Sequence, residues 1–181
     1  ATTNQEFYYK LPHTKGNKYE LVKNPENLRI TKKGEIYWIP LPTQIDSNKV
    51  EVLITNQLDI NKYILDIYVN APPIISFRPT IEEQIEEGNM FSFVCQSFDM
   101  NRNSELTWSL KDNAAGKISI SQYGEIAFKD SLVVDNILYT LELNDGIDSD
   151  VFNGILYINS LPEFIEKPNE YIELGDTLNY L

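Results

Sequence analysis

The chain has 181 residues, 42% of them hydrophobic and 12% aromatic, and its 27 acidic against 15 basic side chains leave a formal charge of −12. That balance excludes a nucleic-acid binder, because phosphate backbones are held by clusters of Lys and Arg and none occurs here. The one cysteine, Cys95, has no partner for an internal disulfide, and no apolar run reaches the roughly eighteen residues that a membrane-spanning helix needs.

From the N-terminus, Phe7-Tyr8-Tyr9 opens the first apolar segment, and the turn Leu11-Pro12-His13-Thr14-Lys15-Gly16 carries the sole histidine. Asn24-Pro25-Glu26-Asn27 and Lys33-Gly34 have turn chemistry, and Val50-Glu51-Val52-Leu53-Ile54 alternates with the period of a strand. Asn70-Ala71-Pro72-Pro73 closes this part, since proline just after a strand removes a ladder donor and stiffens the passage onward. The acidic run Glu82-Glu83-Gln84-Ile85-Glu86-Glu87 reads as a solvated sheet edge that discourages association. Phe91-Ser92-Phe93-Val94-Cys95, Leu106-Thr107-Trp108-Ser109-Leu110 and Tyr139-Thr140-Leu141-Glu142-Leu143 alternate again, separated by Asp112-Asn113, Tyr123-Gly124 and Asn144-Asp145-Gly146. No long stretch carries a helical stripe, so the chain reads as all β. Short strands with a turn every eight to twelve residues or so describe a two-sheet sandwich.

The sequence also repeats itself. Gly34-Glu35-Ile36-Tyr37-Trp38 returns 90 positions later as Gly124-Glu125-Ile126-Ala127-Phe128, and Ile67-Tyr68-Val69-Asn70 returns 89 later as Leu156-Tyr157-Ile158-Asn159. Phe7-Tyr8-Tyr9, Phe91-Ser92-Phe93 and Leu178-Asn179-Tyr180 supply a third, triple anchor. A fixed step of this size means one folding unit copied in a row. Residues 1–72 form a first sandwich lacking its first strand, residues 73–161 a second, and residues 162–181 the start of a third repeat. Linkers this short predict a semi-rigid rod. Within the second unit Trp108 is expected between the sheets, with Tyr19 in the matching place of the first, and Cys95 as a small buried apolar residue.

Cys95, then Trp108, then Asp135 with Tyr139 four residues on and Leu141 beyond it, resemble the immunoglobulin arrangement of a cysteine, a core tryptophan and a tyrosine corner, with Leu141 where a second cysteine would stand. Glu87-Gly88-Asn89, Phe98-Asp99-x-Asn101, Ile120-Ser121 before Gly124-Glu125-Ile126, and Leu141 before Asn144-Asp145-Gly146 resemble the dystroglycan-type cadherin-like and related "putative Ig" repeats of large surface proteins. Leu28-x-Ile30 followed by Gly34-x-Ile36-x-Trp38-x-Pro40 matches the same family in the first unit. The resemblance implies tandem immunoglobulin/cadherin-like β-sandwiches in an extracellular or cell-surface protein, and no chemistry.

It also raises calcium, which takes oxygens from carboxylates between domains. Glu87, Asp99, Asn101, Asp145, Asp148 and Asp150 are the candidate ligands, but the linkers offer only Asn70 and Asn159 where calcium-binding cadherins carry aspartates, so no resident cofactor is expected. His13 has no second histidine to ligate zinc with, and no nucleophile elbow, phosphate loop or Rossmann fingerprint occurs. The chain is therefore expected to be non-enzymatic, a structural or adhesive stalk whose partners are proteins or further copies of the repeat. Two other readings stand beside it: a carbohydrate-binding accessory module, with Tyr8, Tyr37, Tyr68, Tyr123 and Tyr157 as exposed stacking candidates, and a decoration or appendage protein of a virus particle. The tail from residue 164 reads first as the start of the next repeat in a longer array, and second as a strand that one copy adds to the next in a filament.

Overall fold

Alternation becomes strand throughout the computed structural model, which describes residues 1–111, 116–128, 136–160 and 162. The first unit has β1 (Phe7–Lys10), β2 (Lys18–Lys23), β3 (Arg29–Ile30), β4 (Glu35–Trp38), β5 (Asp46–Thr55) and β6 (Ile60–Val69), with one 3-10 turn at Pro42–Gln44. They pair as two sheets, β1-β4-β3 and β2-β5-β6, all antiparallel. Their inner faces enclose Leu11, Leu28, Ile36, Trp38, Val50, Val52, Ile67 and Val69.

The second unit repeats this plan with additions. It comprises β7 (Ile74–Phe77), β8 (Glu82–Glu86), β9 (Phe91–Val94), β10 (Gln96–Phe98), β11 (Thr107–Lys111), β12 (Ile118–Ile120), β13 (Glu125–Phe128), β14 (Asn136–Asn144) and β15 (Ser149–Asn159). One layer is β12-β13-β9 with β10-β7 alongside, and the other is β11-β14-β15-β8. The acidic strand β8 lies at the edge of its sheet, parallel to β15, as its charge predicts. In the first unit the corresponding contact is a single parallel bridge from Thr2 to Asn70.

The register confirms the repeat residue by residue. Leu11 and Cys95 are both buried and both donate their N–H to the glycine at the head of the neighbouring strand, Gly34 and Gly124, at 2.9 Å. Burial pushes the Cys95 thiol up to about 11, so it behaves as the small apolar residue expected.

Two expectations are corrected. Trp108 is not sealed between the sheets: it is half-buried at the rim of the core, its indole against Gly124. Tyr19 does occupy the matching place, its ring against Gly34. Both glycines have positive φ, +77° and +80°, and a Cβ on either would stand 2.8–3.0 Å from the ring, so the turn and the aromatic require each other's shape. The fully buried large rings are Trp38, Phe128 and Tyr139. The tyrosine corner is the second correction, because the Tyr139 hydroxyl lies over Gly154 and has no hydrogen-bond partner among the described residues. Asp135, the turn at 112–113, Leu161 and the third repeat with its tail lie outside the described residues.

Candidate functional site

Strands β6 and β7 are separated by four residues, and three of these, Asn70, Ala71 and Pro73, are buried. Strand reversal explains what meets there. In a sandwich the loop after β10 and the β14–β15 turn lie at one end, and in the second unit that end faces the close of β6.

Asn101, in the loop after β10, is 2% exposed and bridges the units. Its Oδ1 accepts from the Ala71 N–H at 2.7 Å, while its Nδ2 donates to the Val69 carbonyl at 3.1 Å and to Asp46 Oδ1 at 2.9 Å. Asp99 orients it by accepting its N–H at 2.7 Å. Asn70, 1% exposed, closes the other side: its Nδ2 donates to Asp145 Oδ2 at 2.8 Å and to Asp148 Oδ2 at 2.9 Å. The Thr2 hydroxyl reaches the same Asp148 oxygen at 3.0 Å. Buried amides that satisfy several partners at once specify one arrangement, because breaking them leaves unpaired polar groups out of water.

The site is electronegative. None of the described ion pairs, which join Lys10 to Glu35, Lys49 and Lys62 to Glu51, and Lys111 to Glu142, touches it. Tyr68 reports the field: burial first, then the charges of Asp46, Asp99 and Asp145, raise its hydroxyl above the ordinary 10. For Asp145 burial disfavours the charge, yet the Asp148 N–H, the Asn70 amide and the Ile147 N–H more than offset it and hold the carboxyl below its ordinary 3.8.

Of the calcium candidates, Asp99, Asn101, Asp145 and Asp148 do converge on this junction. Glu87 does not; its N–H bonds the Asn159 carbonyl at the far end of β15, roughly 30 Å away at 3.3 Å per strand residue. Asp150 is occupied by the Ile75 N–H at 2.9 Å and the Val151 N–H at 2.9 Å. The donor set fits a hydrogen-bonded lock better than a hard cation. Most carboxylate oxygens accept N–H or amide donors, and among the described residues no three Asp, Glu, His or Cys side chains group to hold a metal. Asn70 Oδ1 and Asp99 Oδ2 are buried junction oxygens without a partner among the described residues. Asp46 and Thr2 escaped the sequence reading; Asp46 sits at a left-handed φ of 68°, which no local pattern announces.

The remaining candidates lie elsewhere. His13 is an exposed loop residue stacked on Tyr19 and sharing a 3.0 Å hydrogen bond with its hydroxyl. Tyr8, Tyr37, Tyr68 and Tyr123 are exposed, whereas Tyr157 is half-buried and drops out as a stacking candidate.

No family model matches the sequence, and no curated protein sequence does either. Solved structures do match. Extracellular domains 3–5 of Drosophila OTK share 12% identity at a TM-score of 0.64, covering 87% of this chain and 58% of that one. The fold is that of tandem immunoglobulin-like domains. A variant of titin domains I67–I69 matches at 0.55 with 13% identity over 92% of this chain and 64% of its own, and Sidekick-1 immunoglobulin domains 1–5 at 0.50 with 11% identity over 88% and 37%. The chain thus spans little more than half of the OTK fragment. At these identities the likeness carries the sandwich architecture and its tandem arrangement.

Proposed function

We propose that this chain is a non-enzymatic structural or adhesive segment of a repeat-built surface protein, of the dystroglycan-type cadherin-like kind, and that it serves as a semi-rigid stalk presenting its units to protein partners or to further copies. The observation that carries the reading is the Asn101 clamp, a buried side chain of the second unit bonded to three groups at the end of the first. A flexible tether would leave a linker solvated; here most of it is buried. The extracellular setting rests on the resemblance and on the OTK likeness, since those domains are extracellular.

Small-angle scattering tests the stalk. The intact chain is expected to give a single distance distribution, and Asn101→Ala a broader one with both sandwiches still folded by circular dichroism. Equal breadth in the two proteins would refute the rod.

The same reading makes the junction self-sufficient. Calcium at millimolar concentration, followed by a chelator, is expected to leave the melting temperature unchanged, because a ligand stabilises only as far as it binds the native state. A rise reversed by the chelator would show that Asp99, Asp145, Asp148 and Asn70 hold a cation.

A further inference from the structure

The two units share their inner residues but not the outer face of the sheet β1-β4-β3. On the inner side the pairs are near equivalents, Phe7 with Trp38 against Phe91 with Phe128, and Tyr9 with Ile36 against Phe93 with Ile126. The outward row differs completely. In the first unit it reads Tyr8, Tyr37 and Arg29 across three paired strands. In the second unit the same register positions are Ser92, Ala127 and Ser119. The sandwich therefore folds without an aromatic row there, and the tyrosines of the first unit are surplus to its architecture.

They are also open to solvent. Tyr8 is 50% and Tyr37 37% exposed, with ring centroids 5.2 Å apart and planes tilted by 52°. Beside Tyr37 is an open pocket of about 290 Å³ lined by Glu6, Asn27, Arg29, Tyr37, Trp38 and Ile39. The Arg29 guanidinium makes no ion pair among the described residues.

We infer that this face is a saccharide-binding site for a neutral hexopyranose, stacked on Tyr37 and Tyr8, with its hydroxyls in the pocket between Arg29, Asn27 and Glu6. Sugar rings combine an apolar C–H face with a fringe of hydroxyls that both donate and accept. This site combines aromatic faces with donors (Arg29, Asn27) and an acceptor (Glu6) at one edge. The pocket is at the small end of the range for small-molecule sites. A neutral ligand is favoured over an anion because the Glu6 carboxylate lines the pocket and offsets the Arg29 charge; burial first, then the charges of Glu35 and Glu6, raise the Tyr37 hydroxyl. The inference stands apart from the stalk reading, since neither Asn101 nor the linker takes part.

The test is a panel of immobilised neutral gluco-, galacto- and manno-oligosaccharides, alongside sulfated glycans and tyrosine-rich peptides, probed with the full chain. At least one neutral series is expected to bind. Tyr37→Ala and Arg29→Ala should each weaken that binding roughly tenfold or more, the scale of one central contact. Tyr123→Ala, which removes a still more exposed tyrosine from the second unit (78%), should leave it unchanged. Melting curves of Tyr37→Ala and Arg29→Ala should match the parent, separating lost contact from lost fold. No neutral binding, binding only to sulfated glycans or peptides, or binding indifferent to Tyr37→Ala would each overturn the assignment.

Discussion

The two sandwiches solve one packing problem with different side chains. Where β14 meets β15, Tyr139 faces Gly154; at the same register in the first unit, Val50 faces Leu65. A Cβ on Gly154 would lie 2.4 Å from the Tyr139 ring, so one large ring fills what two medium aliphatic chains fill in the other copy. The contrast at the neighbouring layer is similar, with Trp38 in the first unit against Phe128 in the second, both fully buried. What the fold preserves at these buried positions is an apolar filling, not the identity of either member, as expected of closely packed interiors.

Truncating a large ring should break this balance most. Trp38→Ala and Tyr139→Ala are each expected to cost roughly 3–5 kcal/mol, and Trp108→Ala distinctly less because its ring is half-exposed. Calorimetry that resolves the two units should place the first loss in one transition and the second in the other. If Trp108→Ala proved as costly as Trp38→Ala, the rim assignment would be wrong.

Adding volume comes next. Gly154→Ala should cost about 1–3 kcal/mol, because the Tyr139 ring must move. In the background of Tyr139→Val the same substitution should cost far less, so the double-mutant cycle should show strong coupling. Additive losses would mean that the ring does not rest on Gly154. Tyr139→Phe sharpens the point: deleting a buried hydroxyl with no partner among the described residues should be neutral or slightly stabilising, and a clear loss would reveal a partner beyond them.

The turns offer a smaller, pH-dependent contrast. Asp145 in the second unit and Asn56 in the first cap equivalent turns, each accepting two backbone N–H groups through Oδ1. Only Asp145 titrates. Because its folded value lies below the ordinary 3.8, its stabilisation is present above 3.8 and is lost as pH falls through the lowered value. Acid should therefore loosen the junction and the second unit before the first, and Asp145→Asn should flatten that response. Hydrogen exchange in the two turns measured across that range reads it directly, and equal acid sensitivity in both turns would contradict it.

Much of this was legible from residue order. The glycines at 34 and 124, the paired linkers at 70 and 159, and the alternation of β5 and β14 fix the repeat and its strands, because turn chemistry and period are local. The junction was only half legible. Asp99, Asn101, Asp145 and Asp148 stood out as oxygen-rich loops, but pattern alone did not separate them from Glu87. Only the reversal of successive strands carries Glu87 to the other end. Nor could it bring in Asp46, which joins Asn101 across 55 positions of sequence. Trp108 was misplaced because strand periodicity assigns a face, while depth depends on how far that strand reaches over the opposite sheet.

The parallel pairing of β8 with β15 has a mechanical side. Residues 82–86 and 155–159 lie near the entry and exit of the second unit and run the same way, so a pull on its two ends draws them past each other. Tension then falls on the whole ladder at once in shear, instead of opening it bond by bond like a zip. In a segment that transmits load, that arrangement makes the short acidic strand the clasp that resists extension, and shortening β8 should lower the force at which the second unit gives way well before it alters the temperature at which it melts.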